Sequence, residues 1–214
     1  MIKLDILSDP ICPWCYIGWT NLARALEARP EHPLAIEWHP FQLNPDMPPG
    51  GIDRRAYLEA KFGGQEGAVR AYLPVAQHAE AAGLTLHLDR IPRTPNTLDA
   101  HRLIHWAGIE GRQTPVALAL FKAYFVDGQD IGDPATLADI AAGAGLDRAM
   151  IETLLAGDAD AADIAARDAH ARRRGVTGVP TFVLANQHVL SGAQPTQLWL
   201  DVIDEIAGQL ADQS

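Results

Sequence analysis

The sequence predicts an α/β protein whose sheet-bearing domain is built from both ends of the chain, residues 1–50 and 175–214, interrupted by a large all-helical insertion over 51–174. Three observations predict this arrangement. Short apolar runs bounded by turn residues occur near both ends and read as strands. The middle is rich in Ala, Leu and charged residues, with helix start and stop signals throughout. The only two cysteines, Cys12 and Cys15, lie between the first strand-like run and the first helix-like one.

Residues 3–8, KLDILS, are short, mostly apolar and closed by Asp9-Pro10, as a buried strand would be. From Cys15 to Ala28 the apolar positions Ile17, Leu22, Ala25 and Leu26 recur near helical spacing. Pro13 stands at the start, where a helix tolerates it. Pro30 and Pro33 end the segment, and residues 34–38, LAIEW, read as a second strand. Strand, helix and strand in so short a span form a βαβ unit with a parallel pair.

Residues 44–52, NPDMPPGGI, are turn-rich and mark the boundary. Beyond them the spacing predicts five to seven helices and no strand up to about residue 174. Thr94-Pro95, Thr114-Pro115 and Asp133-Pro134 read as helix starts, and Gly143 to Gly145 as a break. The last of these helices spans about 159–174. Asp160 and Asp163 lie early in it, Arg172, Arg173 and Arg174 late, and Gly175 just after, as the helix dipole and C-terminal glycine preferences require. After Gly175 the pattern reverts. Residues 181–184 and 188–191 read as two strands with a hairpin-like turn at Asn186-Gln187, and a final helix runs from about Pro195 to Leu210.

Composition excludes several roles. The chain has 214 residues, 48% hydrophobic and 21% charged, with a net charge of −10. A nucleic-acid groove or an anionic membrane surface calls for a basic patch. The one dense basic run, Arg172 to Arg174, is accounted for by the helix dipole. The opening MIKLDILSDP lacks the features of a signal peptide, and no run approaches 18 apolar residues. The expectation is a cytoplasmic protein with no membrane span, in a compartment that disfavours a structural disulfide.

Three chemistries compete for Cys12 and Cys15. A structural zinc needs four ligands. No H-x3–5-H pair lies near either cysteine, although His101 and His105 share a helical spacing. Two buried cysteines could also act as small hydrophobes. Thiol–disulfide exchange, the reading favoured here, needs a stabilised thiolate and a second thiol within ring-closing reach. A helix N-terminus stabilises the anion. Cys12 would sit there with its sulfur exposed, and Cys15, one turn on, would be more buried. The distant stretch GVPTFV, residues 178–183, supports this reading, because a proline directly before a strand is a candidate cis-proline. No metal is expected.

The stretches SDPICPWCYIG (8–18), WHPFQLNPDM (38–47), NTLDAHRL (96–103), GVTGVPTFV (175–183) and SGAQP (191–195) resemble the DsbA-like thioredoxin superfamily, and within it the FrnE-like oxidoreductases. The resemblance implies a thioredoxin-like fold with a helical insertion and a C-P-W-C redox dithiol. It implies that Cys12 is the nucleophile, Cys15 the resolving cysteine and Pro180 a cis-proline facing them. It places Pro13, Trp14 and the backbone of Val179 beside the substrate, with an extended peptide pairing at Val179. A buried carboxylate would accept the resolving thiol's proton. Asp5 is the candidate and Glu37 its competitor, against the plainer reading that each points to solvent.

Related glutathione-dependent enzymes, the 2-hydroxychromene-2-carboxylate isomerases and kappa-class glutathione transferases, carry serine at the position of Cys12. Asn96 and Arg102 fall where those relatives line the cleft; capping and surface ion pairing are the competing roles. The implied activity is disulfide exchange with protein or small thiol substrates, with no bound cofactor required and glutathione as a compatible co-substrate. A glutathione-dependent isomerase or transferase, and a non-catalytic peptide-binding protein, remain alternatives. Monomer and homodimer are equally compatible with the sequence.

Overall fold

A computed structural model describes residues 1–211; the last three positions of the segment assigned to 175–214 lie outside them. The chain opens with β1 (Ile2–Ser8), α1 (Pro13–Ala28) and β2 (Leu34–Pro40). β1 and β2 run parallel, with Ile2 opposite Leu34 and Ser8 opposite Pro40. Pro13 occupies the first turn of α1, where its missing N–H costs nothing.

The middle of the chain forms β3 (Ile52–Asp53), α2 (Arg54–Phe62), α3 (Gln65–Ala81), β4 (Arg93–Thr94), α4 (Leu98–Ile109), α5 (Gln113–Phe125), α6 (Pro134–Gly143), α7 (Arg148–Ala156) and α8 (Ala161–Arg173). Asp133 caps α6 through the amide of Thr136. The expectation of no strand is corrected by the short antiparallel pair of β3 and β4. Gly51 makes that pair possible. Its φ is +63°, and a Cβ there would lie 2.5 Å from the Thr94 carbonyl oxygen. Thr94-Pro95 is therefore not a helix start. α4 begins three residues later, where the Asn96 side chain accepts a 2.9 Å hydrogen bond from the Leu98 amide.

The chain returns to the sheet with β5 (Thr181–Leu184) and β6 (His188–Ser191), then ends in α9 (Thr196–Ala211). The sheet order is β2-β1-β5-β6, with β5 antiparallel to both β1 and β6. The hairpin turn lies one residue earlier than expected. Ala185 and Asn186 take the positive φ values, 53° and 57°, that a tight hairpin turn demands.

Strand alternation sorts the sheet into two faces. Leu4 and Ile6 of β1 and Phe182 and Leu184 of β5 enter the main core, together with Cys15 and Leu22 of α1. Leu103, Phe121 and Ile151 from the middle helices belong to the same buried cluster, so sheet and inserted helices share one core. Phe182 and Trp199 are wholly buried edge to face, 4.8 Å apart. Such a pair adds about 0.5–1.5 kcal/mol beyond its burial. The other face carries Leu7, which meets Ala171 of α8.

Candidate active site

Cys12 is the N-cap residue of α1, in extended conformation, and its amide donates to the Asp9 carbonyl at 2.9 Å. Its carbonyl accepts from the amides of Cys15 and Tyr16, which begins the helix one turn below the loop. Both cysteines are free thiols. The Cys12 Sγ–H points to the Val179 carbonyl oxygen, 3.5 Å away across 167 positions of sequence. The Val179–Pro180 bond is cis. The Pro180 loop is itself tied down: Gly192 donates its amide to the Pro180 carbonyl at 2.8 Å, and the Thr181 hydroxyl donates to the Gly178 carbonyl at 2.8 Å.

The Cys15 sulfur contacts Cys12, the Ser8 side chain and the Asp9 backbone. Burial, followed by the neighbouring Cys12, pushes the Cys15 thiol well above its ordinary value. Cys15 therefore keeps its proton while the pair is reduced. The expectation of an exposed Cys12 sulfur is corrected. Only 4% of Cys12 is accessible, because the Val179–Pro180 loop closes over the start of α1. Pro13 is buried beneath it. Trp14 is not free beside the dithiol either; it is half-buried, with its ring edge to face on His78 of α3 at 5.1 Å.

Gly18 lets the loop sit so close. A Cβ on Gly18 would come within 3.2 Å of the Pro180 ring, 3.3 Å of the Ala193 backbone and 3.4 Å of Phe182. Gly18→Val is expected to lower stability by about 1–3 kcal/mol through overpacking, despite the gain in helix propensity. Urea unfolding checks this, and an unchanged midpoint would show that the contact is slack.

The remaining expected site residues lie elsewhere. Asp5 is on the sheet face opposite the dithiol, paired with Lys3 at 2.9 Å and with His39 at 2.6 Å. Strand alternation turns it away, since Leu4 and Ile6 are the β1 residues that share the core with Cys15. Its competitor Glu37 meets the same Lys3 at 2.8 Å. Arg102 does not line a cleft. Its buried guanidinium donates to the carbonyls of Leu154, Gly157 and Ala159 and to Asp99, fastening α4 to the turn between α7 and α8. Asn96 caps α4, accepts from the Gln42 side chain and donates to the Met47 carbonyl.

A buried carboxylate beside the dithiol belongs to Asp9, the turn residue that follows β1 and whose backbone meets Cys15. It is wholly buried between the amides of Leu43, at 2.6 Å, and Ile11, at 3.4 Å. The His101 imidazole of α4 lies 3.7 Å from it. Burial pushes the Asp9 carboxyl up to about 7 and the His101 imidazole down to about 4. Both residues sit inside the quoted stretches SDPICPWC and NTLDAHRL, and that shared membership was the available signal.

Comparison with known proteins follows the same outline. A family model described as a DSBA-like thioredoxin domain matches residues 3–204. A protein described as "probable DsbA oxidoreductase" from Streptomyces coelicolor is 31% identical, with a TM-score of 0.85, covering 97% of this chain and 91% of that one. The cytosolic disulfide reductase DsbM of Pseudomonas aeruginosa, solved with GSH, shares the fold at 22% identity and a TM-score of 0.65, covering 99% and 98% of the two chains. A 2-hydroxychromene-2-carboxylate isomerase shares it at 18% identity and a TM-score of 0.74, covering 99% of each.

Proposed function

The chain belongs to the DSBA-like thioredoxin domain family, and from that premise we propose that Cys12 and Cys15 are the redox dithiol of a thiol–disulfide oxidoreductase. One observation carries the reading: the two thiols are neighbours one turn apart at a helix N-terminus, with Cys12 turned to the loop carbonyl of Val179. A substrate thiolate attacks Cys12 of the oxidised pair. The Cys12–Cys15 bond breaks, its electron pair stays on Cys15, and Cys15 takes up a proton. A second substrate thiolate attacks the substrate sulfur of the mixed disulfide and releases Cys12. In reverse, the Cys12 thiolate opens a substrate disulfide, and Cys15 displaces the product.

Glutathione is the small thiol proposed as co-substrate and the cytoplasm as the place of work; the structural neighbour solved with GSH makes glutathione the first thiol to try. No helix among the described residues is long and apolar enough to cross a membrane.

The test is equilibration in glutathione buffers of graded ratio, with the dithiol state read by thiol trapping. A reversible two-electron couple, changing tenfold in equilibrium constant per roughly 30 mV, supports the reading. A pair that never closes to a disulfide sinks it, and glutathione-dependent isomerisation then becomes the activity to assay.

A further inference from the structure

The sheet face turned away from α1 is only half covered. α8 packs on β2 and against Leu7, with Val183 of β5 at the edge of that cluster, and leaves Val189 and Ser191 of β6 exposed. A cavity of about 1100 Å3 occupies the gap, floored by Asp5 and Leu7 of β1, Thr181 and Val183 of β5, and Ser191 of β6. One end reaches Val179 and Pro180, beside the dithiol; the other reaches the hairpin turn at Asn186 and Gln187. β5 itself is four residues long, about 13 Å at 3.3 Å per residue, and the cavity continues past it at both ends. Such an elongated cavity suits an extended segment better than a compact small molecule.

Its charge is opposite to that of the whole chain. The fixed cations lining it are Lys3, Arg167, Arg173 and Arg174, and the one carboxylate is Asp5. Lys3 is already neutralised by Asp5 and by Glu37 beside it. The Arg167 guanidinium donates to the Nδ1 atoms of His105 and His39, at 3.2 and 3.4 Å. Arg173 and Arg174 are exposed, and among the described residues no ion pair holds either of them or Arg167. Three guanidiniums without carboxylates therefore line one side of a cavity in a protein of net charge −10. Such an arrangement focuses field on an anionic ligand and sets orientation as well as affinity.

We propose that this cavity receives the acidic flank of an extended, disulfide-bearing polypeptide, laid along β5 so that its cysteine reaches Cys12 past Val179. The proposal deepens the oxidoreductase reading and rests on it for the identity of the reacting group; the charge preference stands apart from it.

The experiment uses the whole chain and fluorescent peptides of about eight residues, long enough to span the cavity. Serine replaces the reactive cysteine, and the flanks carry Glu, Gln or Lys. Anisotropy at low salt is expected to show the Glu peptide binding about tenfold or more tighter than the Lys peptide, a gap that two or three facing charges can supply. The gap should shrink at about 0.5 M salt and largely vanish in the double variant R173Q/R174Q. Circular dichroism melting checks that this surface variant folds. Equal binding of the three peptides, no binding, or a preference that survives in R173Q/R174Q overturns the proposal. Turnover of the Gln-flanked peptide disulfide by the unaltered chain is measured alongside. Its absence with the Glu preference intact overturns the redox reading and leaves the cavity assignment standing.

Discussion

Cys12→Ser is expected to lower disulfide exchange by about three orders of magnitude or more, the loss seen when a covalent nucleophile is removed. Cys15→Ser is expected to do something different: to hold substrate on Cys12 as a stable mixed disulfide, seen as a mass adduct that a reductant releases. The asymmetry follows from geometry. Cys12 faces the carbonyl of Val179, a residue that also lines the cavity. Both thiols are buried, but Cys15 has Cys12, Ser8 and the Asp9 backbone as its neighbours, whereas Cys12 faces the loop. Serine is close to cysteine in size, and folding should survive either change. Adducts that accumulate on Cys15 in the Cys12 variant, with exchange intact in the Cys15 variant, would reverse the two roles.

Asp9→Asn is expected to make stability rise with pH between about 4 and 6.5 more steeply than it does in the unaltered protein. Asp9 has a folded value of about 7 against an ordinary 3.8, so between pH 4 and 7 the folded state holds a proton that the unfolded state has lost. Its contribution to stability is present below pH 4 and is lost as pH rises to 7. His101 works in the opposite sense. Its folded value of about 4 lies below 6.5, so stability is gained as pH rises across that interval. In the unaltered protein the two nearly cancel, because folding moves one proton from imidazole to carboxyl. Asp9→Asn leaves the His101 contribution alone, and stability should rise on the order of 3 kcal/mol from pH 4 to 6.5. The amide also loses one of the two backbone N–H partners, which lowers stability by an amount independent of pH. Urea unfolding at several pH values separates the parts. A profile for the variant no steeper than that of the unaltered chain would mean that the proton does not reside on Asp9.

Much of this was legible in the residues themselves. The strands at 3–8, 34–38, 181–184 and 188–191 show as apolar runs between turn residues. The position of the dithiol follows from Pro13 and the helical spacing after it. Asp133-Pro134 marks its helix by a local capping rule. What escaped depends on contacts with distant partners. Alternation says that Asp5 and Ile6 face opposite ways but not which face α1 covers. Cys12 looks exposed until a loop 167 positions away closes over it. Arg102 reads as a surface or cleft residue because the carbonyls it binds, at Leu154 to Ala159, belong to a turn that no local pattern predicts. β3 and β4 are two residues each, too short for any period to register.

β1 lies second in the sheet, and its neighbour on one side is β5, with Leu4 opposite Leu184. During synthesis that neighbour does not yet exist. At roughly 5–20 residues per second, the β1 edge waits on the order of ten seconds or longer before β5 leaves the ribosome. In that interval β1 offers unpaired backbone to any other nascent strand, a standing risk of misassembly. Lys3 and Asp5 are the charges that interrupt its apolar run, and they can serve as gatekeepers while the edge is open. The dithiol shares the delay. Cys12 is made 167 positions before the Val179 carbonyl that faces it, so the newborn chain carries a thiol without its covering loop until that segment docks.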